Sequence, residues 1–244
     1  MQTLSPSLYR LDLGVANVYL IRSKSAAVLV DAGVRRSPPQ IERGLKRLGL
    51  GWTDLTHIFI THAHPDHVGN FAEIARLSGA EVWAHRLELP VLRGERPVAM
   101  ANPAGLRAVD RLLGSGIRTL MPGTQATGKA ERALEADAHL SHILPGLRTV
   151  HLPGHSPGQL GFYHQAEGWL VGGDVMMNLF GLTFPMAAFT PDVPAAWRSI
   201  LTVARIQPKI LALGHGAPHR NPDEALRHMA ARAKKALERP RGKR

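Results

Sequence analysis

Short runs of apolar and β-branched residues recur in both halves of the chain, each bounded by glycine, proline or polar residues. Runs of this length and composition are typical of β-strands that are wholly or partly buried. The predicted strands are Val18–Ile21, Ala27–Val30, Ile58–Ile60, Val82–Trp83, Thr149–Leu152, Leu160–Tyr163, Trp169–Val171 and Ile210–Leu213.

Helical patterns lie between these strands. The last of them follows Asn221, a favourable N-cap residue, and has Pro222 at its first position. Because strands and helices interleave with short links, the sequence predicts an α/β or α+β fold. The predicted helices are Pro39–Leu48, Phe71–Leu77, Ala195–Ile206 and Pro222–Leu237.

The segment 87–145 breaks this alternation. It contains five prolines and only short helical pieces, such as Ala104–Leu113. We interpret 87–145 as an inserted lid or connecting segment within a single domain that spans residues 1–244. The basic residues 239–244 are predicted to form a frayed tail.

Composition narrows the possible chemistry. The chain has 244 residues, is 44% hydrophobic and contains no cysteine. A packed core is therefore expected, whereas disulfides, cysteine-ligated zinc and iron–sulfur clusters are excluded. The apolar runs are far shorter than the roughly 20 residues of a membrane-spanning helix. The first residues also lack the pattern of a signal peptide, so we expect a cytoplasmic location and no membrane partner.

The densest chemical signal follows the predicted strand Ile58–Ile60. Here the sequence Thr61-His-Ala-His-Pro-Asp-His67 places three imidazoles and a carboxylate within six residues. Side chains two positions apart on an extended segment face the same way, so His62 and His64 can bind one ion. Asp66 and His67 follow Pro65, where the chain is expected to turn, and can face a second ion. Imidazole and carboxylate ligands suit zinc, and they also accept iron or manganese.

Three further candidate ligands lie later in the chain. His155 is in the segment Leu152-Pro-Gly-His-Ser-Pro-Gly158, Asp174 follows two glycines, and His215 lies between two glycines. Each comes at the end of an apolar run, where a turn allows side chains to converge. A lone histidine or aspartate in a turn is usually a solvated or capping residue, so the order and context of the set carry more weight than any member.

Taken together, these motifs resemble those of the metallo-β-lactamase superfamily of metal-dependent hydrolases. The segment Val30-Asp-Ala-Gly33 is similar to the first motif of that family, and His62–His67 is similar to the second. The three later candidates match the third, fourth and fifth motifs in order. The resemblance covers nearly the whole chain and implies an αββα sandwich, with two mixed sheets flanked by helices and the metals at one edge.

The same resemblance implies a role for each motif residue. His62, His64 and His155 would bind one metal, Asp66, His67 and His215 would bind the other, and Asp174 would bridge the two. Asp31 is not expected to be a ligand; it would orient the histidine loop from behind. Two divalent ions, with zinc expected, would activate a bridging hydroxide for hydrolysis. Asp66 would also act catalytically by steering a proton from the attacking water to the leaving group.

Departures from known subfamilies narrow the substrate. True β-lactamases generally lack the bridging carboxylate, and the 41 positions from Asp174 to His215 leave no room for the insertion of β-CASP nucleases. The apolar, methionine-rich segment after Asp174 suits an adaptable pocket wall. We therefore expect a small-molecule ester, thioester or lactone as the substrate. The candidate pocket residues are His85, Met176, Met177, Phe180 and Phe184.

Two other functions stay open from the sequence. Persulfide dioxygenases share the fold but use a single iron, so metal content would discriminate them. The third possibility is a phosphodiesterase or a nucleic-acid-binding protein, which the formal net charge of +11 invites. However, residues 220–244 hold nine Lys/Arg against three Asp/Glu, so more than half of the excess lies away from the motifs. Nucleic acid is therefore not expected as a partner, and the oligomeric state is left open.

Overall fold

The computed structural model describes residues 1–120, 128–130 and 132–238. Two β-sheets pack face to face, and helices cover the outer face of each sheet, so the predicted αββα sandwich is confirmed. Among these described residues, no helix is both long enough and apolar enough to cross a membrane.

The first sheet has seven strands in sequence order. Its first four strands pair antiparallel, and each pair from the fourth to the seventh strand is parallel. Parallel strands end at the same edge of a sheet, so the loops after the fourth and fifth strands meet there. The strands are β1 (Gln2–Thr3), β2 (Leu8–Asp12), β3 (Asn17–Arg22), β4 (Ala27–Val30), β5 (Leu55–Ile60), β6 (Glu81–His85) and β7 (Arg132–Leu134).

The second sheet has five strands in the order β14-β13-β10-β9-β8. Strands β10 and β13 run parallel, so the loops that follow them also share an edge. A separate two-stranded hairpin follows β10. The strands are β8 (Leu147–His151), β9 (Leu160–His164), β10 (Trp169–Val171), β11 (Met177–Asn178), β12 (Leu182–Thr183), β13 (Ile210–Ala212) and β14 (His219–Arg220).

Seven α-helices complete the described part of the chain. Helix α6 begins where the side chain of Asp192 accepts a hydrogen bond from the backbone nitrogen of Ala195 at 2.9 Å, and it ends at Gln207 in the left-handed conformation. The helices are α1 (Pro38–Arg47), α2 (Pro65–Val68), α3 (Phe71–Ser78), α4 (Leu89–Leu92), α5 (Ala108–Leu120), α6 (Val193–Ile206) and α7 (Asp223–Glu238).

Alternation along the strands divides the core into three layers. In β5, Ile58 and Ile60 face helices α1, α3 and α4, whereas Phe59 points between the sheets. There the ring of Phe59 stacks on that of Phe162 from β9, with centroids 5.0 Å apart and planes 11° apart. A third cluster packs the outer face of the second sheet against α6 and α7. Burial of these layers aligns the sheet edges that carry the histidine loops.

All eight predicted strands and all four long predicted helices are confirmed, with ends that differ by a few residues. The structure adds the short strands β1, β7, β11, β12 and β14, together with strand β2, which the sequence analysis did not predict. The predicted piece Ala104–Leu113 belongs to α5 from Ala108 onward, and α5 continues to Leu120. The predicted tail 239–244 lies outside the described residues.

Both ends of the segment 87–145, interpreted from the sequence as an inserted lid or connecting segment, pack into the core. Leu89 and Leu92 of α4 lie in the core of the first sheet, and β7 extends that sheet. Near the other end, Leu140 and Ile143 pack between the two sheets. Pro90 lies in the first turn of α4, whereas most described residues from 93 to 116 are exposed or half-buried.

We expect Phe162→Ala to destabilise the fold by about 3–5 kcal/mol, because it empties the inter-sheet layer opposite Phe59. Urea unfolding of the variant and the wild-type protein measures this difference. The matched control is Phe180→Ala, since Phe180 is 101% exposed and should leave the midpoint unchanged. A loss of less than about 1 kcal/mol for Phe162→Ala would show that the stacked pair is not central to sheet packing.

Candidate metal centre

The edge of the sandwich brings together all seven residues predicted as metal ligands. They form three overlapping groups, and within each group one ligand atom per residue lies within 4.8 Å of the others. Asp66 is partly exposed, and the other six are buried. The groups are His62, His64 and His155; His62, His67 and Asp174; and Asp66, His67 and His215.

Asp174 occupies the middle of this arrangement. Its Oδ1 lies 3.4 Å from His67 Nε2, and its Oδ2 lies 3.1 Å from His215 Nε2 and 3.5 Å from His155 Nε2. Asp66 closes one side, with its Oδ2 3.2 Å from His215 Nε2. One carboxylate therefore contacts histidines from two separate groups, which is the geometry a bridging ligand requires.

Four of the five histidines have a defined partner for their Nδ1 atom. The partner is the Oγ1 of Thr61 for His62, a carboxylate oxygen of Asp31 for His67, the Oγ1 of Thr190 for His155, and the backbone oxygen of Val15 for His215. A histidine that donates its Nδ1 hydrogen in this way has the Nε2 lone pair available. The surroundings thus turn Nε2 of these rings toward the cluster.

The cluster also concentrates polar atoms that have no protein partner. In the described parts of the chain, six buried side-chain nitrogen or oxygen atoms make no hydrogen bond. Such atoms are rare in folded proteins because each costs free energy. Five of the six belong to this cluster, which fits a site for a cation: His62 Nε2, His64 Nε2, His67 Nε2, His155 Nε2 and Asp174 Oδ1.

The pKa values separate the histidines into two sets. Burial lowers the pKa of His62, His64 and His155, for the last of these to about 3, so these rings are neutral and can donate lone pairs. Burial also disfavours charge on His67 and His215. The Asp174 and Asp66 carboxylates outweigh it and raise the pKa of both, for His215 to about 10. These carboxylates create a field that attracts positive charge.

Asp31 lies directly behind the histidine loop. Its carboxylate accepts hydrogen bonds from the backbone nitrogen of Thr61 at 2.8 Å, from the Thr61 hydroxyl, and from His67 Nδ1 at 2.8 Å. Asp31 adopts a positive φ of 64°, a backbone conformation that Asp and Asn tolerate better than most residues. It contacts the ligands without joining the groups above, in the position that the sequence analysis gave it.

A second set of contacts, which sequence reasoning missed, holds the His215 loop. The Asn17 side-chain nitrogen donates to the backbone oxygens of Leu213 and Gly216, at 2.8 and 2.7 Å. The Tyr19 hydroxyl also donates to the backbone oxygen of Leu213. Burial raises the pKa of the Tyr19 hydroxyl well above its ordinary value. No local motif reveals these contacts, because they join residues almost 200 positions apart in the sequence. Glu88 also lies outside any local motif, since its partners are 25 to 70 positions away in the sequence.

Backbone packs tightly against one side of the cluster. A Cβ atom placed on Gly214 would lie 2.1 Å from Asp174 Oδ1 and 2.6 Å from His67 Cε1. Since both distances are far below van der Waals contact, only glycine fits between Leu213 and His215. Gly214 is therefore required by the ligands themselves, whereas a Cβ atom on Gly216 would meet the backbone of Asn178.

The predicted pocket residues do not gather around the cluster. Met176 is buried in the core beneath α6 and α7, Phe184 packs on Trp197 with ring centroids 4.2 Å apart, and His85 stacks on His151 at 4.6 Å. Met177 is buried in the hairpin whose tip carries the fully exposed Phe180. Met176, Phe184 and His85 thus each pack against residues outside the cluster, and their role in a pocket stays a prediction.

The aromatic ring nearest the cluster comes from another segment. Phe189, which the sequence analysis did not single out, is half-buried and meets the ring of His64 edge-on at 6.2 Å. It lies in the 3₁₀ turn Ala187–Phe189, and Ala188 of that turn packs against Gly114 of α5. An apolar surface therefore borders the cluster on the side of α5.

Comparison with known proteins gives the family to which this arrangement belongs. A family model described as the Metallo-beta-lactamase superfamily matches residues 11–215, which include every residue of the cluster. The chain belongs to the metallo-beta-lactamase superfamily. The predicted family membership is thus confirmed, and with it a superfamily whose members generally bind divalent metals at His/Asp clusters of this kind.

Several members of the superfamily resemble the chain over most of its length. The probable metallo-hydrolase YflN of Bacillus subtilis is 31% identical over 228 residues, covering 86% of this chain and 84% of that protein. The hydroxyacylglutathione hydrolase GloC of Haemophilus influenzae is 28% identical over 155 residues, covering 64% and 63%. The structure of TTHA1623 in a di-iron-bound form has a TM-score of 0.65 and 26% identity, and covers 91% of this chain and 95% of that one.

We expect the purified protein to contain close to two equivalents of divalent metal, and His62→Ala or His64→Ala to remove most of it. Each substitution deletes a ligand from a buried group that offers few replacements. Elemental analysis of the purified proteins measures the content. His139→Ala is the matched control, because His139 is exposed and outside the cluster. Undiminished metal in both ligand variants would contradict the assignment.

Asp31→Asn should weaken metal binding by about 10–100-fold while the protein stays folded. Asn tolerates the left-handed backbone conformation, but its side chain has one accepting oxygen and an NH₂ group in place of two accepting oxygens. Competition with a chromophoric chelator gives the affinity, and circular dichroism checks the fold. Asp137→Asn is a matched control, since Asp137 has a φ of 56° but is exposed. Equal affinities for the two variants would mean that Asp31 does not orient the histidine loop.

Proposed function

We propose that this protein is a metal-dependent hydrolase with two divalent ions, zinc being the expected metal, that cleaves an ester, thioester or lactone. The observation that carries the proposal is the central position of Asp174. Its two carboxylate oxygens face His67 on one side and His155 and His215 on the other. This is the arrangement in which one residue can join two ion sites.

The residues divide into two ligand sets. His62, His64 and His155 would hold one ion, Asp66, His67 and His215 would hold the other, and Asp174 would contact both. When bound, the two ions would activate a water molecule for attack and polarise the reacting oxygen of the substrate. The neutral imidazoles of His62, His64 and His155 supply lone pairs, and the carboxylates offset the positive charge.

Asp66 is the residue best placed to move a proton. Its side chain is 19% exposed, compared with 11% for His215 and 4% for His155 and Asp174. Asp66 therefore borders the opening of the site. Burial raises the pKa of Asp66, but the neighbouring His67 and His215 outweigh this effect and hold the pKa well below its usual range. An ionised carboxylate at this position can accept a proton from the attacking water and pass it to the leaving group.

The proposed substrate class rests on the relatives and on the surroundings of the cluster. YflN is named a probable metallo-hydrolase, and GloC is named for the hydrolysis of a glutathione thioester. Phe189 borders the cluster with an apolar edge, which suits an uncharged acyl group better than a phosphodiester. The substrate we propose is therefore a small, partly apolar carbonyl compound.

A panel of substrates tests the proposal. We expect the zinc-loaded protein to hydrolyse at least one aryl ester, acyl thioester or lactone faster than bis-nitrophenyl phosphate. Removal of metal by a chelator should abolish this activity, and added zinc should restore it, because the nucleophile depends on the ions. Initial rates for each substrate, before and after metal removal, provide the measurement.

Four results would overturn the proposal. Full hydrolysis by chelator-treated protein would exclude the metal-dependent mechanism. Faster turnover of the phosphodiester would indicate a phosphodiesterase. A single bound iron together with oxygen consumption on a persulfide would indicate a dioxygenase. Steeply salt-dependent binding to DNA or RNA, without hydrolysis, would instead favour the nucleic-acid-binding alternative.

A further inference from the structure

Glu88 is a buried acidic residue that belongs to none of the three ligand groups. Only 3% of its surface is exposed, and it lies directly before α4, at the beginning of the segment interpreted from sequence as a lid. A carboxylate is costly to bury unless its oxygens are satisfied by hydrogen bonds. The donors that satisfy Glu88 therefore indicate its role.

These donors come from two loops that carry metal-binding candidates. One carboxylate oxygen accepts from the backbone nitrogen of Ala63 at 2.9 Å, between His62 and His64. The other accepts from the hydroxyl of Ser156, which follows His155, and from the backbone nitrogen of Gly158 at 2.7 Å. The two oxygens of one side chain thus connect the loop after β5 with the loop after β8.

The two loops belong to different sheets. Strand β5 lies in the first sheet and β8 in the second, so nothing within a single sheet sets the distance between His62 or His64 and His155. A backbone hydrogen bond from Leu160 to Thr61 joins the sheets at the base of these loops. Glu88 adds three hydrogen bonds nearer the ligands, where the ring of His155 lies 4.9 Å from that of His62 and 4.5 Å from that of His64.

The backbone at Gly158 leaves a space that Glu88 and His85 occupy. A Cβ atom on Gly158 would lie 2.8 Å from the Glu88 Oε1 atom and 2.8 Å from His85 Nδ1. His85 in turn stacks on His151, whose Nε2 lies 2.9 Å from the backbone oxygen of Pro157. The absence of a side chain at position 158 therefore allows Glu88 to reach both loops, and His85 supports the same region from behind.

We propose that Glu88 is a positioning residue that clamps the His62/His64 loop to the His155 loop and so sets the geometry of the first metal-ligand group. The clamp rests on the proposed metal site, because it acts on the ligands of that site. It assigns the beginning of the 87–145 segment to metal binding rather than to a lid. It also gives His85 a supporting role in place of the predicted pocket role.

Glu88→Gln tests the clamp with little change in shape. A carboxamide has one accepting oxygen and one NH₂ group, so it can serve one loop but presents donors to the donors of the other. We expect the affinity for zinc to fall by about 10–100-fold. Glu95→Gln, an exposed glutamate of the same segment, is the matched control and should bind zinc like the wild-type protein.

Amide hydrogen exchange supplies a readout that does not depend on activity or on metal. In chelator-treated protein, Glu88→Gln should accelerate exchange at Ala63, at Gly158 or at both, because at least one of these backbone groups loses its acceptor. Exchange at Leu211, in the core of the second sheet, should stay unchanged. Faster exchange at Leu211 as well would indicate general destabilisation and would overturn the clamp.

A second variant approaches the same contact from the other side. Gly158→Ala should displace Glu88 and lower zinc affinity, and the double variant should bind no more weakly than the weaker single variant, because both changes break one contact. Additive losses, or wild-type affinity and exchange in Glu88→Gln, would contradict the proposal while leaving the hydrolase intact. Absence of zinc binding by the wild-type protein would refute the proposed function, and the exchange experiment would still decide the clamp.

Discussion

The structure depends on the close packing of five imidazoles and two carboxylates at the edge where the two sheets meet. Five atoms of this cluster are buried without a hydrogen-bond partner, a cost that a bound cation would offset. The surrounding loops supply what the cluster needs from the protein side. Hydrogen bonds to Nδ1 orient three of the histidines so that Nε2 faces the cluster. The partners are Asp31 for His67, Thr190 for His155 and the backbone oxygen of Val15 for His215. The cluster and its supports therefore form a single unit.

Much of this unit was predictable from sequence because its ligands follow strand ends. His62, His64, Asp66 and His67 come within six residues, and the glycines beside Asp174 and His215 mark the turns that let them converge. Alternation of apolar residues likewise predicted the principal strands, since the two faces of each strand meet different layers of the core. Local patterns of this kind survive in a sequence without knowledge of the fold.

The remaining features depend on contacts across long sequence distances. Asn17 and Glu88 act on loops far along the chain, and neither lies in a recognisable motif. Strands of two or three residues, such as β7 and β14, carry too few positions to show a period. The pocket residues are harder to predict, because an apolar run after a ligand has two interpretations, core or binding surface. Burial of Met176 and the packing of Phe184 on Trp197 favour the core.

Tight packing at Gly214 also closes one side of the cluster. Backbone fills the space behind Asp174 and His67 so closely that not even a methyl group could enter. The side chains of Asp66 and His215 are 19% and 11% exposed, so the opposite direction is the open one. A substrate of the proposed centre would therefore approach over Asp66 and His215, in a direction that the backbone at Gly214 sets.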